Sequence, residues 1–452
     1  MEVILQPWED LNRKAGAAMK RVKDDSEQEL KRIRKCLLED FEEVKGLGLS
    51  INMSRGKPAS AQLDHNMGLL QFPQSYILEN GADARNYGML EGIPECRRLF
   101  GELLGLDSEQ ILMGGSSSLN LMFDIVAFHC LMGTEGEPPW SYRKYEGKAV
   151  KFLCPVPGYD RHFKICEKLG IEMISIPLRE DGPDMDLVER LVREDDSIKG
   201  MWCVPLHSNP QGVCYSDQTV ERLAAMETAA PDFRIFWDNA YGVHHIYERV
   251  QLKDLLAVCK EKGHENRAYY FFSTSKITFP GGGVSLISAS PENIKQLKSY
   301  MAVQTLGHDK LNQLRHVQYF QSPEGFQKHM EELAGLLRPK FDLVLERLER
   351  ELSGTGFGTW SHPKGGYFIS FDTMPGCAKR TVQLAKEAGV ALTAAGSTYP
   401  YGRDPEDRNI RIAPTYLSLE ELEQAIDIFI LCVKLAGVEK SLEKPGKNDI
   451  PV

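Results

Sequence analysis

A lysine that closes an aromatic strand and opens a glycine-rich loop is placed to act as a nucleophile. The run Phe271-Phe272-Ser273-Thr274-Ser275-Lys276, followed by Pro280 and Gly281 to Gly283, has that layout. Where such an amine is desolvated its pKa falls, and the free base can attack a carbonyl. Taken singly, a strand-end lysine is also an ordinary solvated charge, so it needs partners. Asn209 lies in Ser208-Asn209-Pro210-Gln211-Gly212, and Asp238 and Tyr241 lie in Phe236-Trp237-Asp238-Asn239-Ala240-Tyr241. All three sit at or just beyond apolar runs. An isolated Asn-Pro-x-Gly reads equally as a turn and a strand-end aspartate as a helix cap. Upstream, Gly114-Gly115-Ser116-Ser117-Ser118 precedes the apolar stretch Leu119 to Val126. Glycines and then small hydroxyl residues at a helix start offer backbone N–H groups and a helix dipole to a phosphate. No Gly-Lys-Ser/Thr follows, so this is not a nucleotide P-loop, and a serine cap without ligand is the plain alternative.

Together these parts suit one cofactor. A phosphate cradle, an aspartate to keep a pyridine nitrogen protonated, an asparagine and a tyrosine for a ring oxygen, and a pocketed lysine for an aldehyde are what pyridoxal 5′-phosphate requires.

The order and spacing of Asn209, Asp238, Tyr241 and Lys276, with Arg411 in Asn409-Ile410-Arg411-Ile412-Ala413, resemble the fold-type I, class I aminotransferases. The likeness runs from about Ser54 to the final helix. Longer motifs resemble the bacterial type Ic aspartate aminotransferases: Ser54-Arg55-Gly56-Lys57-Pro58, Pro157-Gly158-Tyr159-Asp160-Arg161-His162-Phe163, Ser273 to Lys276, and Asp309 to His316. The resemblance implies a Schiff-base lysine at Lys276 that also shuttles a proton, with Asp238 at the pyridinium and Asn209 and Tyr241 at the ring oxygen. It further implies Ser116, Ser117, Ser118 and Ser273 at the phosphate and Tyr159 stacked on the ring. Arg411, Gly56 and Asn209 would meet the substrate, with Arg411 on its α-carboxylate. Tyr87, in Asn86 to Glu95, would reach the phosphate of a neighbouring subunit, which implies a homodimer with shared sites. The implied reaction is ping-pong transfer from an L-amino acid, by subgroup aspartate, to 2-oxoglutarate. A donor with an acidic side chain needs a second cation, and Arg55, Lys57, Lys310 and Arg315 are the candidates. Donors with aromatic or neutral side chains, a β-lyase, and a non-catalytic cofactor-binding regulator are the alternatives. Two positions depart from the family pattern: Gly281 to Gly283 stand where relatives place a phosphate-binding arginine, and His308 stands where they tend to have proline.

The elements that must hold these residues follow from periodicity. Short apolar runs (Gln110–Met113, Ala149–Cys154, Glu172–Ile176, Lys199–Pro205, Arg234–Trp237, Ala268–Phe272) alternate with helical segments. That pattern predicts an α/β fold with a mostly parallel sheet, whose ligands bind beyond the carboxyl ends of the strands. Residues 66–314 are expected to form this large domain. Residues 1–65 and 315–452 would form a smaller α+β domain. It would contain an amphipathic helix over Leu11 to Val44 with Leu30, Ile33, Leu37 and Phe41 inward. A helix at Leu343 to Leu352, a strand in Gly365 to Phe371, a helix at Thr381 to Ala388, a strand at Asn409 to Ala413 and a last helix at Leu419 to Leu435 complete it. The final 13 or so residues read as a loose tail.

Composition excludes several classes. The 452 residues are 42% hydrophobic and 26% charged, as in ordinary globular proteins. A net charge of −10 repels nucleic acid. No stretch is long and apolar enough to cross a membrane, and the N-terminus lacks a signal-peptide layout, so a cytoplasmic location is expected. The ten cysteines form no CxxC pair and no metal-site spacing, and are expected to be reduced. No metal is expected.

Overall fold

The computed structural model describes residues 26–443 apart from Glu135. The first helix, Glu27–Gly46, is capped by Ser26, whose Oγ accepts from the Glu29 amide. It buries Leu30, Ile33, Leu37 and Phe41, as their spacing predicts, together with Val44. The expected part of this helix before residue 26, and the expected tail after residue 443, lie outside the described residues. A two-residue strand, β1 (Ile51–Asn52), follows.

The central sheet has eight strands: β2 (Ile111–Gly114), β3 (Lys151–Val156), β4 (Glu172–Arg179), β5 (Gly182–Pro183), β6 (Ile198–Cys203), β7 (Arg234–Asp238), β8 (Ala268–Ser273) and β9 (Ser285–Ser288). Their order is β2-β9-β8-β7-β6-β3-β4-β5. Neighbours from β8 through β7, β6 and β3 to β4 are parallel, whereas β9 runs antiparallel to both β8 and β2. The predicted six runs are all strands. The short antiparallel β9 was not expected, because four residues after a glycine run carry too little pattern. Strands β2, β6, β7, β8 and β9 are buried along their whole length. Such continuous apolar runs mark a sheet covered on both faces.

A second core forms around strands β10 (Gly358–Trp360), β11 (Ile369–Thr373) and β13 (Asn409–Ile412), an antiparallel sheet in that order, while β12 (Val390–Ala391) pairs with β1. Helices Glu27–Gly46, Ala378–Glu387 and Leu419–Leu442 cover it. Three expectations change here. The helix expected at Leu343 to Leu352 spans Pro323–Leu352, because Phe326, Leu333, Leu337, Phe341, Val344, Leu348 and Leu352 keep one apolar stripe across Pro339. Packing of that stripe outweighs the lost amide. The strand expected from Gly365 begins only at Ile369, since Gly365 and Gly366 form a turn pressed against His207. The last helix continues past Leu435 to Leu442, with Ala436 and Val438 buried. The first half of the Pro323–Leu352 helix packs with the large sheet and its second half with the small one.

Among the described residues no helix is long and apolar enough to cross a membrane. None of the ten cysteines forms a disulfide, and seven are buried.

Candidate active site

Parallel strands deliver their carboxyl ends to one edge, and that edge holds a cavity of about 280 Å³ lined by Lys276, Asp238, Tyr241, Asn209, Tyr159 and Ser273, among others. Register explains the convergence. Gly114 and Ser273 both pair with Ser285, so the ends of β2, β9 and β8 are level, and Asp238 pairs with Phe271 one strand over. A side chain at Gly114 would collide with Ser285 Oγ at 2.6 Å and Leu121 at 2.8 Å, so the close approach of β2 to the next helix needs glycine.

Asp238, 2% exposed, ends β7 on the cavity floor. Its Oδ2 is 3.0 Å from His162 Nε2, and the imidazole is stacked on Trp202 at 4.4 Å. Its Oδ1 is buried without a partner. A buried carboxylate oxygen left unpaired is costly, and a protonated ring nitrogen in the cavity would satisfy it. Lys276 Nζ lies over the Tyr241 ring, 4.7 Å from its centre. The lysine backbone is held by Tyr367, whose hydroxyl donates to Lys276 O at 2.9 Å. Burial pushes the Tyr159 phenol up to about 12 and raises Tyr241 further, so both remain hydroxyl donors.

Of the three cradle serines, two line the cavity. Ser117 caps the helix Ser118–Met132, its Oγ accepting from the Leu119 amide, and Ser117 and Ser118 line the cavity with Ser273. Ser116 does not line it; its carbonyl instead accepts from Ser275 Oγ at 2.5 Å. Ser275 is a wall residue that the motif reading quoted without a role, as was His162. The signals were present: Ser275 is one residue from Lys276, and His162 is one turn of helix beyond Tyr159.

At the glycine run for which the family resemblance implies a phosphate-binding arginine, Gly282 and Gly283 turn their carbonyls to Asn312 Nδ2 at 2.9 and 3.0 Å. Among the described residues that line the cavity, the cations are Lys57 and Lys276.

Arg411, 8% exposed on β13, reaches the site from the second core. Its guanidinium lies 4.7 Å over the Phe368 ring and donates to Asn209 Oδ1 and Thr393 Oγ1, each at 3.3 Å, while Nη1 sits 3.5 Å from Asp160. Accepting through Oδ1 leaves Asn209 its amide nitrogen as donor. Arg411 Nε is buried and unpartnered. Gly56 lies against the same Phe368, where a Cβ would come within 2.4 Å of the ring. Of the four candidate cations, Lys57 lines the cavity, its Nζ 4.0 Å over the Tyr416 ring. Lys310 donates to Gly88 O at 3.0 Å and Arg315 lies over Phe72, both away from it. His308 is part-buried and packs near Gly115, with an unpartnered Nε2. Tyr87 is 86% exposed and does not enter the cavity of its own chain.

A lysine and a buried aspartate facing one cavity at the sheet edge, with serines at a helix start and an arginine from a second core, are the arrangement that a phosphorylated cofactor and a carboxylate substrate would require. Comparison with known proteins agrees. Residues 25–444 match the family described as Aspartate amino-transferase. A Mycolicibacterium smegmatis protein named as an aminotransferase is 48% identical over 89% of this chain and 95% of its own. An aspartate aminotransferase of Corynebacterium glutamicum is 47% identical over 88% of this chain and 92% of its own. A crystal structure of an aspartate transaminase from Corynebacterium glutamicum superposes with a TM-score of 0.90 at 45% identity, covering 93% of this chain and 99% of that one. The fold extends to an α-aminoadipate aminotransferase of Thermus thermophilus, complexed with N-(5′-phosphopyridoxyl)-L-leucine, at a TM-score of 0.70 and 20% identity over 96% of this chain and 99% of that one. The chain therefore belongs to the aspartate aminotransferase family of fold-type I pyridoxal-phosphate enzymes, and it is an aminotransferase.

Proposed function

We propose that this aminotransferase takes the amino group of aspartate and passes it to 2-oxoglutarate in two alternating half-reactions. The observation that carries the reading is the pairing, in one cavity, of an unsatisfied Asp238 Oδ1 with Lys276 across from it. Pyridoxal 5′-phosphate, when bound, supplies an electron sink for the pair released at the substrate's α-carbon. Asp238 would hold the positive ring nitrogen, and His162 would keep the aspartate aimed. Asn209 and Tyr241 would donate to the ring oxygen, with Tyr159 against the ring. Ser117, Ser118, Ser273 and Ser275, with the helix start, would hold the phosphate in place of the missing arginine. Lys276 Nζ would anchor the cofactor and then carry the α-proton. Arg411 would grip the α-carboxylate in a fork, for which its free Nε is suited, and Gly56 would let the substrate lie close.

Lys57 is the cation we assign to the distal carboxylate, because it is the candidate that lines the cavity. Leu119, Met122 and Val204 in the same walls favour a second reading, a neutral or aromatic donor.

We further infer a cytoplasmic homodimer with shared sites. Tyr87, Phe72, Leu70 and Met67 are exposed apolar side chains on one stretch of chain, which supports an interface there. The division into 66–314 and 1–65 with 315–452 is supported by the two cores, the long helix serving both.

Initial rates over a panel of amino acids with 2-oxoglutarate test the substrate reading. Aspartate giving oxaloacetate and glutamate at the highest kcat/KM, with parallel double-reciprocal lines, is expected. Preference for aromatic or neutral donors would replace it with the second reading, and pyruvate with ammonia would make the chain a β-lyase.

A further inference from the structure

Behind the lysine turn, on the side away from the cavity, two histidines and a glutamate converge. His65 ends the helix Ser60–His65, and His329 and Glu332 stand one turn apart on the helix Pro323–Leu352. One ligand atom from each lies within 4.8 Å of the others. His65 Nε2 is 3.0 Å from Glu332 Oε2, and the two imidazoles face each other with centres 5.0 Å apart.

The buried member is already fixed as a ligand would be. His329 Nε2 is 3.2 Å from Ile277 O. A carbonyl only accepts, so Nε2 carries the proton and Nδ1 keeps its lone pair. Metal-binding histidines are oriented in this way, by donating their other nitrogen to a carbonyl. The rings of Tyr319 and Phe320 hold the imidazole edge-on at 5.6 and 5.4 Å, and the Tyr319 hydroxyl donates to His65 O at 3.2 Å. His65 and Glu332 reach solvent, which leaves room for water as a fourth ligand.

We propose that His65, His329 and Glu332 form a binding site for a first-row divalent metal ion of the zinc class. Two imidazoles and a carboxylate suit Zn²⁺, and three protein ligands with an open position are a common zinc arrangement. Tetrahedral binding needs donor atoms about 3.3 Å apart, a closure that the exposed Glu332 and His65 side chains can make by rotation. A bound ion ties three places together: the helix that continues the Arg55-Gly56-Lys57-Pro58 wall, the long helix shared by the two cores, and Ile277, the residue after Lys276. The site rests on geometry separate from the transamination reading.

The test is competition of the chelator-treated holoenzyme with a chromophoric chelator for Zn²⁺ alone. One ion per chain is expected, with binding weakened about 10–100-fold in His65→Asn and in Glu332→Gln, as loss of a ligand or its support does. Both substitutions are at solvent-reaching positions, so fold and cofactor spectrum should be kept; His329→Ala, at a buried position, is the secondary variant. A rise in the thermal midpoint on adding one equivalent of Zn²⁺, absent in both variants, is the second readout. Affinity weaker than about 0.1 mM, or one-to-one binding that neither variant alters, would overturn the site.

Discussion

The floor and the rim of the cavity are built differently. Floor residues Asp238 and Ser273 end strands of the large sheet, and Lys276 follows a few residues on. Asp238 and Ser273 are buried and Lys276 half-buried, and the floor is tied to neighbours at ordinary hydrogen-bond distances, as in Asp238 to His162 and Tyr367 to Lys276 O. Rim residues come from the second core and from the segment before residue 60. Arg411 makes only long contacts, at 3.3 to 3.5 Å, and Lys57 is exposed above a tyrosine ring. Rigid strand ends suit a group that must be held in one geometry through every turnover, whereas loosely held cations can change partner when a substrate carboxylate arrives. On the proposed reading, Asp160, 3.5 Å from Arg411 Nη1, is the partner that a substrate carboxylate would displace.

If the division is right, damage to the floor should be severe for every substrate and damage to the rim selective. Lys276→Ala is expected to abolish the absorbance of the lysine-bound cofactor and to lower turnover by at least about 10²–10⁴-fold, the range for loss of a positioned proton carrier. Single-turnover spectra with any amino acid check it, and near-wild-type turnover would end the account of the floor. Asp238→Asn should keep that absorbance and slow turnover by about 10²–10³-fold, as for loss of one preorganised charge. The slowing should be the same for acidic and neutral donors.

Lys57→Met is the opposite case. We expect kcat/KM for aspartate to fall roughly 3–10-fold, the scale of a partly exposed ion pair, with alanine unaffected. Equal losses for both donors would remove Lys57 from the specificity reading and blur floor with rim.

The smallest effect concerns stability away from the site. Burial pushes Asp427, in the last helix, up to about 6, against the pull of Arg347 at 3.8 Å, and its Oδ1 is otherwise unpartnered. A carboxyl with a raised folded pKa binds its proton more tightly in the folded state, so folding stability declines as pH rises from about 4 to 6. Asp427→Asn should therefore stabilise the protein by about 1–3 kcal/mol at pH 7.5, with the gain vanishing near pH 4. Urea unfolding at both values measures this.

Much of this layout was legible in the sequence. The six strand runs, the inward face of the first helix and the placing of Asn209, Asp238, Tyr241 and Lys276 after strands follow from periodicity, which each segment carries locally. What was not legible depends on contacts between distant segments. The antiparallel β9 is defined by pairing with β8 and β2 rather than by its own four residues. His162 acquires its role from Asp238, 76 residues away. Lys57 is set apart from Arg55, Lys310 and Arg315 only by which of them reaches the cavity. The Pro323–Leu352 helix overrides its internal proline through packing against both cores.

The most direct measurement is the visible spectrum of the purified holoenzyme, recorded while aspartate, glutamate and alanine are added one at a time without any oxo acid. Conversion of the lysine-bound band to the pyridoxamine form by aspartate or glutamate at low concentration, and by alanine only at much higher concentration, is the predicted result. No cofactor band after adding pyridoxal 5′-phosphate, or conversion by alanine as readily as by aspartate, would contradict the account.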